Sequence, residues 1–267
     1  MPVRIEVHQH IARITLDRPE AMNALDVESL KALRAHLVEA RERDDIRVVV
    51  LTGGGEKAFC TGADLKSTAA VAPPYAQALF RSPEAAAERG LYIRLMDLSD
   101  LALWKPIIAA VNGHCLGGGL ELALQCDVRI ASRRATFGLP EAAVASIPAV
   151  SGVYRLLKAI PAAVAMRMAL SAERISADEA HRVGLVSEVC EPAALLERAH
   201  GLAERIARNG PLAVQAIKRL AVQAQHLSAA DAQQLAEFFW ASLRDSEDRI
   251  EGRRAFAAKR TPEFNGR

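Results

Sequence analysis

The sequence predicts an α/β protein in which strands with interleaved helices come first and helices come last. Three observations carry this. Short apolar runs rich in Ile and Val, such as "IRVVVLTG", recur through the first half of the 267-residue chain. Residues 105–126, "KPIIAAVNGHCLGGGLELALQC", read as strand, glycine turn and helix. From residue 152 onward nearly every segment has helical spacing.

The N-terminal "MPVRIEVHQHIARITLDRP" alternates apolar and polar residues like two short strands. It has neither the charged start nor the continuous apolar stretch of a signal peptide. His8 and His10 share a face there, but with no carboxylate or cysteine at supporting spacing they suit an exposed strand edge better than a metal pair. "NALDVESLKALRAHLVEARERDD" places Leu30, Leu33 and Leu37 at helical spacing behind Asp26, a fitting N-cap. "IRVVVLTG" follows as a buried strand, and "EKAFCTGADLK" at 56–66 reads as a loop of small residues. Residues 67–90 are Ala- and Pro-rich and weakly patterned, which predicts a mobile segment or a short helix. "GLYIRLMDLSDLALW" reads as helical. Beyond the glycine turn, "DVRIAS" and "ATFGLPE" are two further strands. Ser176 and Glu179 form a capping box, Gly184 ends that helix, and "LVSEV" is a brief strand before the helices of residues 192–258.

Thirty-four Lys and Arg against 32 Asp and Glu leave a formal charge of +2 with no long block of one sign, which argues against nucleic acid or an anionic membrane as main partner. No run approaches the roughly 20 apolar residues of a membrane helix. Cys60, Cys115, Cys126 and Cys190 form no C-x-x-C pair and sit in apolar contexts, the pattern of reduced core cysteines in a cytoplasmic protein.

The chemistry lies in the loops. Gly117-Gly118-Gly119 lacks the G-x-G-x-x-G spacing of a dinucleotide loop, and the chain has no G-x-x-x-x-G-K-[ST]. A glycine triplet at a helix start aims free N–H groups and the positive end of the helix dipole at whatever sits above it. The competing reading is that the glycines only let the helix pack tightly on its strand. Glu121, one turn after Gly118, would hang its carboxylate beside those N–H groups. Glu141 follows Pro140 where a strand ends. The "FCTGAD" loop offers the N–H of Ala63. Two backbone donors and two carboxylates suit a reaction in which a carbonyl becomes an enolate while a proton and a water are handled nearby. Spacing alone does not bring the four together.

"DRPEAMNAL", "KAFCTGADL", "AAVNGHCLGGGLELALQCDVRIAS", "FGLPE" and the ending "SEDRIEGRRAFAAKRTPEFNGR" resemble, in order and spacing, the motifs of the crotonase, or enoyl-CoA hydratase/isomerase, superfamily. The resemblance spans essentially the whole chain. It implies a spiral of ββα units over residues 1–200, holding a CoA thioester site, and a helical region at 201–267 serving oligomerisation and active-site cover. It further implies that Ala63 and Gly118 bind the thioester oxygen through their N–H groups. Coenzyme A, part of the substrate and not a separate cofactor, would lie along Ala21, Met22 and Ala24 and along Thr61, Gly62, Ala63, Asp64, Leu65 and Lys66, with Gly117 and Gly118 beneath the acyl group and Lys66 as a phosphate contact. Glu121 and Glu141 match the two glutamates that hydratases keep, which favours addition of water to a 2-enoyl-CoA, with Glu141 as proton donor to the α-carbon. No metal is implied, and a homotrimer or dimer of trimers is.

One departure stands out. Where relatives have a glycine-rich loop, this chain reads "IPAVSGVYRL", so Ala149 and Ser151 replace glycines. With residues 67–90, this loop is where acyl selection is expected. The rival readings are double-bond isomerisation, dehydration of a carnitinyl-type thioester, and a non-catalytic CoA-binding or RNA-binding relative. His114 and Cys115, inside the glycine motif, are not expected to be catalytic.

Overall fold

The computed structural model describes residues 1–64 and 75–267. Val3–His8 (β1) and Ile11–Leu16 (β2) form an antiparallel hairpin, and Val27–Glu42 (α1) begins at Asp26, whose side chain accepts from the Ser29 N–H. Val48–Gly53 (β3) then pairs in parallel with β2. From here strands alternate between two sheets. Ala58–Cys60 (β4), His114–Leu116 (β6), Thr136–Gly138 (β8) and Ile175–Ser176 (β9) make a four-stranded sheet in that order. Ile107–Val111 (β5), Val128–Ser132 (β7) and Glu188–Cys190 (β10) extend the first sheet to six strands, in the order β1-β2-β3-β5-β7-β10. Each turn of the chain contributes one strand to each sheet, and the progression from β3 to β8 is the spiral that the motifs imply.

The core explains why the long strands read as continuous apolar runs. Val49, Leu51, Ala109 and Val111 face a large cluster shared with α1 and the second sheet, while Val48, Val50, Ile108 and Ala110 face the helix Leu195–Ala207. That helix meets the sheet with Leu195, Ala199, Ala203 and Ala207, one residue per turn, and it runs across position 200. Both faces of the six-stranded sheet are covered, so neither shows polar alternation.

Two expectations differ from the structure. The segment 56–66 contains β4, and β6 interrupts what reads as a single glycine turn; strands of three residues are too short to show a period. After the short helices Tyr75–Leu79 (α2) and Pro83–Ala87 (α3), only Ile93–Met96 (α4) of "GLYIRLMDLSDLALW" is α-helical, followed by a 3-10 turn at Ser99–Leu101. Among the described residues, no helix is long and apolar enough to cross a membrane.

Candidate active site

The three glycines have three separate reasons to be glycine. Gly117, at φ +54°, ψ −129°, takes a conformation closed to residues with a side chain, and donates its N–H to the Gly138 carbonyl at 2.9 Å. It delivers the chain from β6 into the helix Gly118–Gln125 (α5). A methyl group on Gly118 would strike the Met96 side chain and come within 3.3 Å of the Gly62 Cα. One on Gly119 would strike the Cys60 carbonyl of β4. Close packing and a free donor therefore coexist: Gly119 seats the helix, and the Gly118 N–H has no acceptor among the described residues.

The second loop abuts this one. Gly62, at φ +90°, lies so close that a methyl group on it would be 2.8 Å from the Gly118 nitrogen. Leu25 and Ala63 form a parallel bridge in which the Leu25 N–H donates to Gly62 O at 2.8 Å and the Asp64 N–H donates to Leu25 O at 2.9 Å. Because neighbouring residues of an extended chain point their N–H groups to opposite sides, the Ala63 N–H faces away from Leu25, and it too has no acceptor among the described residues.

Two side chains fix that geometry. Arg18 donates to Ala24 O at 2.8 Å and to Asp64 Oδ2 at 2.9 Å, and its Nη1 stands 3.0 Å from Asp26 Oδ2. Asn23, 1% exposed and at φ +56°, donates to Gly54 O at 3.0 Å and Ala58 O at 2.7 Å, and accepts from the Arg18 N–H at 3.0 Å. Thr61 Oγ1 donates to Met22 O at 3.3 Å. Ala21, Met22 and Ala24 are thereby held, half-buried, next to Thr61–Asp64.

The carboxylates exchange the neighbours the sequence suggests. Glu121, 3% exposed, does not turn to the glycine N–H groups; its Oε1 accepts from the Val150 N–H at 2.7 Å and the Gly152 N–H at 2.9 Å. A methyl group on Gly152 would be 2.7 Å from that oxygen. Burial pushes the Glu121 carboxyl up to about 7, against the two N–H bonds and with the nearby Glu141 charge adding to the rise. Glu141, in the 3-10 turn Pro140–Val144, is the one beside the glycines: a methyl group on Gly117 would be 3.0 Å from its Oε1. Its Oε2 is buried with no hydrogen-bond partner among the described residues, and burial raises its pKa as well. An ordered water or a substrate proton would satisfy that oxygen.

Two free N–H donors on touching loops and two desolvated, interacting carboxyls form a site for stabilising an oxyanion and moving protons. A family model described as enoyl-CoA hydratase/isomerase matches residues 6–267. The chain belongs to this family. It is 48% identical over 268 residues to the (E)-benzylidenesuccinyl-CoA hydratase of Thauera aromatica, covering all of both chains. It is 38% identical to the carnitinyl-CoA dehydratase of Proteus mirabilis over 96% of this chain and 95% of that one. The crystal structure of an enoyl-CoA hydratase from Bacillus anthracis superposes with a TM-score of 0.90 at 35% identity, covering 100% of each chain.

Of the crotonase residues expected at the site, Glu121, Glu141, Ala63, Gly117 and Gly118 come together around the two loops, and Ala21, Met22, Ala24, Thr61, Gly62 and Asp64 adjoin them. Leu65, Lys66 and residues 67–74 lie outside the described residues. His114 has a structural role, its Nδ1 lying 2.8 Å from Thr136 Oγ1, and Cys115 is fully buried. Arg18 and Asn23 were missed, although both stand in the quoted "DRPEAMNAL" and an asparagine tolerates left-handed backbone better than most residues. Among the described residues no group of three or more His, Cys, Asp or Glu could hold a metal ion.

Proposed function

We propose that the protein adds water to 2-enoyl-CoA thioesters, giving 3-hydroxyacyl-CoA. The observation that carries this reading is the buried Glu121 carboxyl together with the half-buried Glu141, whose Oε2 is buried without a partner among the described residues, set against a glycine turn with a free N–H. The Ala63 and Gly118 N–H groups donate to the thioester oxygen and stabilise the negative charge it gains as the enolate forms. Glu121, locked by the two loop N–H groups, acts as base toward the water, and Glu141, whose Oε2 lacks a partner, delivers the proton to the α-carbon. Coenzyme A lies along Ala21, Met22 and Ala24 and along Thr61–Lys66.

The test is loss of the conjugated thioester absorbance with crotonyl-CoA, longer 2-enoyl-CoAs and, given the full-length similarity to the Thauera aromatica hydratase, (E)-benzylidenesuccinyl-CoA. Glu121→Gln and Glu141→Gln should each lower turnover by at least about 100-fold. Two variants close to wild type, or no turnover of any thioester by the folded protein, would overturn the assignment. Product analysis with 3-enoyl-CoA separates hydration from isomerisation, which needs no water.

A cytoplasmic homotrimer, or a dimer of trimers, accompanies this reading. Phe238, Trp240 and Phe256 on the C-terminal helices are 66, 58 and 87% exposed, a costly display for a monomer. A monomeric mass by light scattering at micromolar concentration would reject the oligomer.

A further inference from the structure

At the far end of α5 from the glycine turn, an open pocket of about 590 Å³ lies against the helices Gly152–Ala159 (which carries Arg155) and Pro211–Gln223. None of Glu121, Glu141, Ala63 or Gly118 lines it. Its wall holds four cations, Arg129, Arg155, Lys158 and Lys218, and a single carboxylate, Asp127. That carboxylate is already engaged, accepting from Lys218 Nζ at 2.8 Å and from the Ile107 N–H at 2.7 Å. Arg129 is held by three backbone carbonyls, which take its Nε and Nη1 donors without cancelling its charge. Lys158 donates to Gln225 Oε1 at 3.1 Å and lies over the Tyr154 ring. Arg155 is different: its Nε is buried with no partner, and its guanidinium makes no ion pair among the described residues.

A surplus of positive charge around an unpaired guanidinium calls for an anion, because a buried donor without an acceptor is unstable and a planar fork fits a carboxylate in two-pronged fashion. The rest of the wall is apolar, with Leu124, Val128, Ala159 and Val214 among its residues. Its size lies within the roughly 300–1,000 Å³ range of small-molecule sites. We propose that this pocket is a second ligand site, separate from the thioester site, which binds a small carboxylate carrying a compact alkyl or aryl tail. The carboxylate seats on Arg155, with Lys158 supporting it, and the tail lies on the apolar wall. The two sites adjoin one helix: Gly152, at the start of the Arg155 helix, donates to Glu121 at 2.9 Å.

Calorimetric titration of the full chain with octanoate and with 3-phenylpropanoate tests this, and does so whether or not the protein hydrates an enoyl-CoA. One molecule should bind per chain, with affinity unchanged by saturating coenzyme A. Arg155→Gln should weaken it by about tenfold or more. Ala221→Phe, which fills the pocket and leaves Arg155 in place, should abolish it and serves if the arginine variant fails to fold. Inorganic phosphate should bind more weakly than either probe. No saturable binding up to the solubility limit, equal affinity in the variants, or displacement by coenzyme A would overturn the site. Phosphate binding as tightly as octanoate would overturn the apolar subsite. An Arg155→Gln protein whose mass by light scattering drops would assign the guanidinium to a subunit contact instead.

Discussion

Glu121 and Glu141 are alike in chemistry and unlike in support, and the difference predicts how each behaves with pH. Glu121 has two N–H bonds that favour its charged form, yet burial outweighs them and its pKa stands near 7 instead of 4.5. Below the ordinary carboxylate range the group is neutral in folded and unfolded chains alike. Between about 4.5 and 7 the unfolded chain has lost the proton while the folded one keeps it, so stability falls as pH rises and keeps falling until the folded group has titrated. Glutamine retains an oxygen to accept both N–H bonds and cannot ionise. Glu121→Gln should therefore melt at a temperature close to wild type at pH 5 and above wild type at pH 8, while losing turnover. A variant equally or more destabilised at pH 8 would contradict the raised pKa. If Glu121 is the base toward water, wild-type kcat/KM should fall on acidification through pH 7 at up to about tenfold per pH unit, and this limb should be missing from the residual activity of the glutamine variant.

At the scale of elements, the site is two loops held in contact by residues that perform no chemistry. Asn23 ties the Met22–Leu25 turn to Gly54 and Ala58, on either side of the β3–β4 connection, and so sets where Ala63 meets Leu25. Asn23→Ala would leave the Gly54 carbonyl without its donor, the Ala58 carbonyl with Asn112 alone, and a left-handed backbone without its compensation, costing about 2–3 kcal/mol. It should raise KM for the thioester more than it lowers kcat, because the turn it anchors lines the proposed coenzyme A path. Equal KM in variant and wild type would remove the turn from binding. Elements long enough to show a period were legible in the sequence: the hairpin, α1 with its Asp26 cap, and β3, β5 and β7. The short strands β4 and β6 were not, because their existence is decided by pairing with each other across 55 to 56 residues and not by local pattern. For the same reason the motifs gave both glutamates but not their neighbours. What Glu121 accepts from is set by how the Pro148–Gly152 loop returns to α5, and Ser151, at φ +64°, bends that loop so that both Val150 and Gly152 point inward.

Across the whole molecule, the C-terminal tail closes the structure on its first sheet. Asp248, 7% exposed in the helix Glu247–Ala257, accepts from the Asn265 N–H at 2.7 Å and the Gly266 N–H at 2.9 Å, and its own N–H donates to Arg267 O at 3.0 Å. Arg47, just before β3, donates to Phe264 O at 2.5 Å and to Ala207 O at 2.9 Å. The Phe264 ring meanwhile lies 3.5 Å from where a Gly252 side chain would begin. These contacts join the last helix, the helix over the six-stranded sheet and the strand that leads to the first donor loop. Removing residues 263–267 would leave Asp248 as a buried charge without its donors and Arg47 without one of its acceptors, a cost of about 2–4 kcal/mol. The core beneath Leu195–Ala207 keeps its own apolar contacts, so the loss should be local to the last helices. Hydrogen exchange should speed up in residues 229–257 of the truncated chain and stay near wild type in β3, β5 and β7. Uniformly faster exchange would mean that the tail supports the whole fold, and unchanged exchange in the last helices would mean that Asp248 and Arg47 hold nothing that matters to them.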